Sequence, residues 1–233
     1  VISHNHADHL GGVVDLLQSP MIVGEVIYKG QACTTLICQD VWEEMGKRGI
    51  TPQAVRQGDS FTWGPLTSSI FNPQAAPTGD ENEDSVVMHL DFYQTDLLCT
   101  GDIGFSTESL LIDAGVLNPV NLLKVAHHGS AISTSSHFLS IVTPQDSVIS
   151  VGAGNPYGHP SDETLSRLNA SGTSLHRTDL HGDVSFMYYA EAPSPELTIV
   201  YLPLMMSGAG ERPEPTPTPA PPLPPGPLPG QNI

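Results

Sequence analysis

Apolar positions along this chain fall into short blocks with two different spacings. Val1-Ile2 reads as the end of a strand. His4 to Gly12 reads as a loop, in which Gly11-Gly12 permits tight backbone. Val13 to Leu17 looks like the start of a short helix, with apolar side chains at 13, 14, 16 and 17. Met21 to Tyr28 is strand-like, whereas Cys33 to Arg48 carries apolar residues at 36, 37, 41, 42 and 45, a helical period. Phe61 to Phe71 suggests strands interrupted by Trp63-Gly64-Pro65. Val86 to Phe92 and Leu97 to Thr100 then read as a hairpin that runs into Gly101-Asp102.

Beyond that point helices and strands alternate. Helices are expected over Thr107 to Ala114, Ser135 to Val142 and Asp162 to Ala170, the last capped by Ser161 or Asp162. Strands are expected over Leu122 to Ala126, Ser147 to Val151, Ser174 to Arg177, Asp183 to Tyr189 and Leu197 to Leu204. The chain therefore divides into an α/β domain over 1–207 and a tail over 208–233. Thirteen of the 22 prolines lie from Pro193 onward, and the stretch PEPTPTPAPPLPPGPLPG has too little apolar surface to fold. It reads as an extended, disordered linker.

Bulk composition narrows the options. The 233 residues suit one domain plus the tail, and 39% hydrophobic residues suffice for a core. Eight Lys+Arg against 25 Asp+Glu leave a formal charge of −17. Such a chain repels polyanions at long range, and no Lys/Arg cluster could track a phosphate backbone. Bound divalent cations would offset part of that charge. Three cysteines are not a disulfide framework: Cys99 reads as a buried small hydrophobe, and Cys33 and Cys38 could pair without the spacing requiring it. No run of 18 apolar residues exists, so no membrane span is expected. The chain opens at Val1 almost directly on its richest motif, so N-terminal strands are expected to be missing, with further domains beyond both ends.

That motif is Ser3-His4-Asn5-His6-Ala7-Asp8-His9-Leu10-Gly11-Gly12. Four ligand-type side chains fall within six residues. In a loop leaving a strand, His4 and His6 point one way, while Asp8 and His9 turn toward a second point nearby. Neutral imidazoles with a carboxylate suit zinc or a similar divalent ion, with manganese as the other candidate. Two adjacent ions would lower the pKa of a shared water and make a nucleophile at neutral pH.

The motif resembles the HxHxDH signature of the metallo-β-lactamase superfamily. The resemblance implies a four-layer αβ/βα fold, two metals at the sheet edges and a later Asp bridging them, here Asp102. A closer resemblance, running from Val1 to about Tyr189, is to the C-terminal hydrolase domain of the competence protein ComEC. It rests on Leu123-Lys124-Val125-Ala126-His127-His128-Gly129-Ser130, Asn155-Pro156-Tyr157-Gly158-His159-Pro160 and Arg177-Thr178-Asp179, with Asn82 to Leu90 and Leu97 to Ile103 fitting too. The implied metal ligands are His4, His6, Asp8, His9, Asp102 and His128, with His127 as the other candidate of the HHGS pair. Asp8, His127 and His159 are the catalytic candidates: His127 to orient water or a leaving group, His159 as a last ligand or general acid. Ser130, Asn155 and Tyr157 are the substrate-binding candidates, Ser130 as a helper rather than a nucleophile.

Two departures matter. His89 is the only histidine between His9 and Asp102, and it sits in a strand pattern, so it reads as core or sheet surface rather than as the ligand most such hydrolases carry there. His127 or His128 then fills the vacant place. ComEC-like domains also often carry Asp where this chain has His6, and His6 completes a two-metal site. His137, His176 and His181 read as surface or outlying residues.

The expected function is a metal-dependent hydrolase acting on a phosphodiester, as a nuclease or phosphodiesterase, with a phosphoester or nucleic acid as substrate. The acidic charge restricts this to short substrates or DNA delivered by another domain. Hydrolysis of a lactone or lactam is the alternative, and a secreted non-catalytic binding module a third. The Pro-rich tail and the acidic charge suggest an extracellular or cell-surface protein of bacterial type.

Overall fold

A computed structural model describes residues 1–187. The strand expected over Leu197 to Leu204, the end of the 1–207 domain and the Pro-rich tail lie outside the described residues. In chain order the elements are α1 (Ala7–Gln18), β1 (Ile27–Tyr28), α2 (Leu36–Lys47), β2 (Gln53–Ala54), β3 (Ser60–Trp63), β4 (Leu66–Asn72), β5 (Val87–Phe92), β6 (Thr95–Cys99), α3 (Phe105–Asp113), β7 (Leu122–Lys124), a single 3-10 turn (Ala126–Gly129), α4 (Ser136–Val142), β8 (Asp146–Ile149), α5 (Asp162–Ser171), β9 (Ser174–Arg177) and α6 (Thr178–His181).

The expected α/β class is present, as a mixed structure around one large sheet. Seven strands run in the order β3-β4-β5-β6-β7-β8-β9. The first four are antiparallel to their neighbours, and β6 to β9 are parallel. Period-two alternation buries both faces. Val87, Leu98, Leu123 and Ile149 point to one side and pack with Leu111 of α3, Phe138 of α4 and Leu168 of α5. Met88, Leu97, Leu122 and Val148 point to the other and pack with Ile27 of β1 and Val55. Behind the small β1-β2 sheet, Leu10 and Leu17 of α1 meet Val41 and Met45 of α2. The succession is helices, large sheet, small sheet, helices, the four layers expected from the resemblance.

Three expectations are corrected. The loop expected over His4 to Gly12 ends at His6, where α1 begins. Its apolar stripe is Leu10, Val13, Val14 and Leu17, a helical spacing that the ligand-rich stretch disguised. Gly11 and Gly12 are therefore helical and make no tight turn. The strand expected from Met21 shrinks to Ile27–Tyr28, because Met21 and Ile22 are exposed and have no core to meet. The strand expected from Asp183 to Tyr189 is absent over Val184–Met187, although Val184 and Phe186 still cover the Ile70 cluster. The other expected elements lie within a few residues of their bounds, with Ser135 and Ser161 capping α4 and α5, while β2 and α6 were not expected. Ile2 forms a parallel bridge to Tyr28, as a strand end would.

Cys33 and Cys38 are disulfide-bonded. Cys99 is a free, half-buried thiol pushed up to about 11 by burial.

Candidate metal centre

The parallel half of the sheet places the site. Asp102 follows β6, His127 and His128 follow β7, and His159 follows β8, so each comes off the C-terminal end of a parallel strand. That is the edge where open α/β sheets collect ligands. The first motif reaches the same edge: Ser3 O accepts from Val86 N–H at 2.8 Å, beside the start of β5.

Asp8, His9, Asp102 and His128 converge, each offering a donor atom, with all four atoms within 4.8 Å of one another. His9 Nε2 lies 3.2 Å from Asp102 Oδ2 and 3.1 Å from His128 Nε2. His128 Nε2 lies 3.2 Å from Asp8 Oδ2 and 3.3 Å from Asp102 Oδ2. His4 and His6 form the neighbouring group, with His4 Nε2 3.0 Å from His6 Nδ1 and 3.9 Å from Asp102 Oδ2. Asp8 sits in the first turn of α1, where the helix N-terminus favours a carboxylate.

The HHGS stretch is held in an unusual conformation. His127 and His128 both have positive φ, 49° and 52°, each costing about 1–3 kcal/mol in a residue with a Cβ. Gly129 follows at 81°, and a Cβ there would sit 2.6 Å from that of Pro160. The strain has a visible counterpart. His128 Nδ1 donates to Ser150 O at 2.6 Å, and since a carbonyl only accepts, this tautomer turns Nε2 toward the cluster.

Electrostatics follow the geometry. Burial drives His4 down to about 2, so it is a neutral imidazole. Burial would raise Asp102, but hydrogen bonds with His128 and His9 and the charge of Lys124 outweigh it and hold the carboxyl well below its ordinary range. The His128 hydrogen bond, foremost, also lowers Asp8. Burial opposes charge on His128, yet its bonds to Asp102 and Asp8 lift it to about 9. Burial lowers His127 and His159.

This donor set fits a divalent cation. Two imidazole nitrogens face each other among two carboxylates, and among the described residues the buried Asp102 Oδ1 has no hydrogen-bond partner. Asp8, His9, Asp102 and His128 could each give one atom to a cation, and a nitrogen and oxygen set suits zinc, manganese or iron.

The other expected residues lie close by or serve the frame. The His127 ring is 5.7 Å from that of His159, and exposed Tyr157 lies 6.2 Å from His159. Asn155 spends its amide on its own loop, accepting from the N–H groups of Tyr157 and His159 and donating to the carbonyls of Gly152 and His159. Ser130 is buried, and its carbonyl accepts from Ser133 and Thr164 hydroxyls. His89 lies in β5, 2.8 Å from Asp96 and far in register from the cluster. His137 is exposed, His176 pairs with Asp146, and His181 accepts from Arg177 N–H.

Lys124 had no expected role. It is buried on β7, donates to Gly101 O at 3.2 Å and lies 3.7 Å from Asp102 Oδ1. A lysine inside the apolar run Leu122 to Ala126 was the available signal. Ser3 and Ser85 were missed as well: Ser3 Oγ is 3.2 Å from His4 Nδ1 and 3.1 Å from His9 Nδ1.

A family model described as the metallo-beta-lactamase superfamily matches residues 1–153. ComE operon protein 3 of Bacillus subtilis is 27% identical over 188 residues, which are 81% of this chain and 24% of that protein. Competence protein ComA of Neisseria gonorrhoeae is 31% identical over 191 residues, 80% of this chain and 24% of that protein. The chain thus spans about a quarter of these relatives' length. Among solved structures, CmlA, a diiron β-hydroxylase from Streptomyces venezuelae, aligns with a TM-score of 0.50 at 14% identity, over 75% of this chain and 42% of that one. That similarity shows the shared fold alone.

Proposed function

Given that the chain belongs to the metallo-beta-lactamase superfamily, we propose that it is a metal-dependent hydrolase of phosphodiesters, of nuclease or phosphodiesterase type. The observation that carries this reading is the convergence of Asp8, His9, Asp102 and His128 from three distant segments onto one point. His4, His6 and Asp102 would hold one divalent ion; Asp8, His9, His128 and, again, Asp102 would hold a second. Bound ions supply Lewis acidity, polarising a phosphoryl oxygen and acidifying water.

The chain's own residues do the rest. His127 and His159 stand side by side next to the cluster, and burial disfavours the charged form of both, so each is suited to accept a proton there. Tyr157 presents an exposed ring beside them for substrate contact, on a loop stiffened by Asn155. The similarity to a competence protein favours a nucleic-acid phosphodiester, and the charge of −17 favours short strands or strands delivered by another part of a longer protein. The Cys33–Cys38 disulfide supports an oxidising location outside the cytoplasm.

The test is turnover by the purified chain, with metal content measured alongside. Zinc- or manganese-loaded protein is expected to hydrolyse bis-p-nitrophenyl phosphate and a short single-stranded oligonucleotide, and to lose this on chelation. Full metal loading with no phosphodiester turnover, or faster opening of a β-lactam or a lactone, would overturn the assignment.

A further inference from the structure

One short segment between β4 and β5 touches both ligand-bearing stretches. Glu81 Oε1 accepts from Asn5 N–H at 2.8 Å, between His4 and His6, and is tied to buried Lys29 at 2.7 Å. Glu83 Oε2 accepts from Gly104 N–H at 3.2 Å and Thr107 N–H at 3.0 Å, just past Asp102. Two residues beyond Glu83 lies Ser85, fully buried. Its hydroxyl accepts from Asp102 N–H at 3.1 Å and lies 3.2 Å from His4 Nδ1. Nothing larger than glycine fits opposite it: a Cβ at Gly101 would lie 2.5 Å from Ser85 Cβ, and Gly101 has φ +55°.

We propose that Ser85 is the positioning residue of the metal centre, its single hydroxyl setting His4 and Asp102 in register with each other. This rests on His4 and Asp102 being ligands. A serine oxygen has two lone pairs. One takes the backbone N–H of Asp102 and so aims its carboxylate; the other faces Nδ1–H of His4, which Ser3 Oγ also approaches at 3.2 Å, and this tautomer leaves Nε2 bare on the side facing Asp102. Ser3 stands in the same relation to His9. Groups behind metal ligands act in this way, by fixing ring tautomer and orientation.

The experiment compares zinc affinity, by competition with a chromophoric chelator, in the parent, Ser85→Ala and Glu83→Gln. Glu83→Gln loosens the same segment without touching His4. Ser85→Ala is expected to bind zinc about tenfold or more weakly, and more weakly than Glu83→Gln at an equal loss of melting temperature. Nitrogen-15 NMR of the zinc-loaded parent is expected to show a slowly exchanging proton on His4 Nδ1. An affinity within twofold of the parent for Ser85→Ala, or an equal loss in Glu83→Gln, would overturn the proposal. If Ser85→Ala does not fold, the spectrum of Ser3→Ala decides: an Nδ1–H of His4 that stays protected without the Ser3 hydroxyl supports the role, and its loss there overturns it. A parent that takes up no zinc, manganese or iron overturns the metal reading itself, and does so before any variant is compared.

Discussion

The two halves of the proposed metal centre are built in different ways. His4 and His6 are two residues apart, and His4 Nε2 lies 3.0 Å from His6 Nδ1 and 3.9 Å from Asp102 Oδ2. Asp8, His9, Asp102 and His128 come from three separated segments, yet their donor atoms lie within 4.8 Å. The local half is half-open, with His4 buried and His6 exposed. The assembled half is held by helix α1, by the left-handed HHGS turn and by the Ser150 carbonyl. Lys124 sharpens the asymmetry, since its ammonium stands behind Asp102 and offsets charge at the one residue both halves share. The assembled half should therefore bind its ion more tightly.

Asp102→Asn should give the largest effect, because it removes charge from both halves at once. Activity on a phosphodiester should fall by about a thousandfold, roughly 4 kcal/mol of barrier, and metal content should drop. A variant that keeps its metal and its turnover would mean that Asp102 does not link the halves.

His128→Ala should come next. It strips a donor from the assembled half and frees the strained turn, and zinc affinity should weaken by more than about a hundredfold, beyond what removing an outlying hydrogen bond costs. His6→Ala should be milder. Its ion content, read by elemental analysis, should fall from about two per chain toward about one, with the tighter ion retained. If His6→Ala and His128→Ala lost metal equally, the asymmetry between the halves would be wrong. The smallest effect belongs to Ser130→Ala, because the backbone carbonyl of Ser130 does the visible structural work. At most one hydrogen bond is lost, about 0.5–1.5 kcal/mol or up to tenfold in rate. A fully metallated but dead Ser130→Ala would instead demand a serine nucleophile.

Most of the α/β half was readable, because strands such as Leu97–Leu98 and Leu122–Leu123 are apolar on both faces and helices α4 and α5 carry serine caps. The reading failed where chemistry interrupts periodicity. His6, Asp8 and His9 hid the first turn of α1, since ligand residues occupy positions that a helix would otherwise leave to ordinary formers. Met21 and Ile22 looked like a strand because their composition says nothing about whether a neighbour is there to receive them.

The sequence by itself determined which residues could serve the site: the HxHxDH spacing is local, and Gly-Asp after an apolar strand and a paired histidine after another are marked by their surroundings. The layer order came from the resemblance that the HxHxDH motif carries rather than from periodicity, and it agrees with a sheet buried on both faces, which needs cover on both sides. Tertiary structure alone decided how those residues are shared out. The sequence reading preferred His128 as the ligand and kept His127 as the other candidate; the left-handed turn and the hydrogen bond to Ser150 O send His128 into the cluster and His127 toward His159. Ser85 and Lys124 acquired their places in the same way. A serine or lysine has no intrinsic preference for a metal centre, and only the packing of β5, β6 and β7 brings them within reach of Asp102.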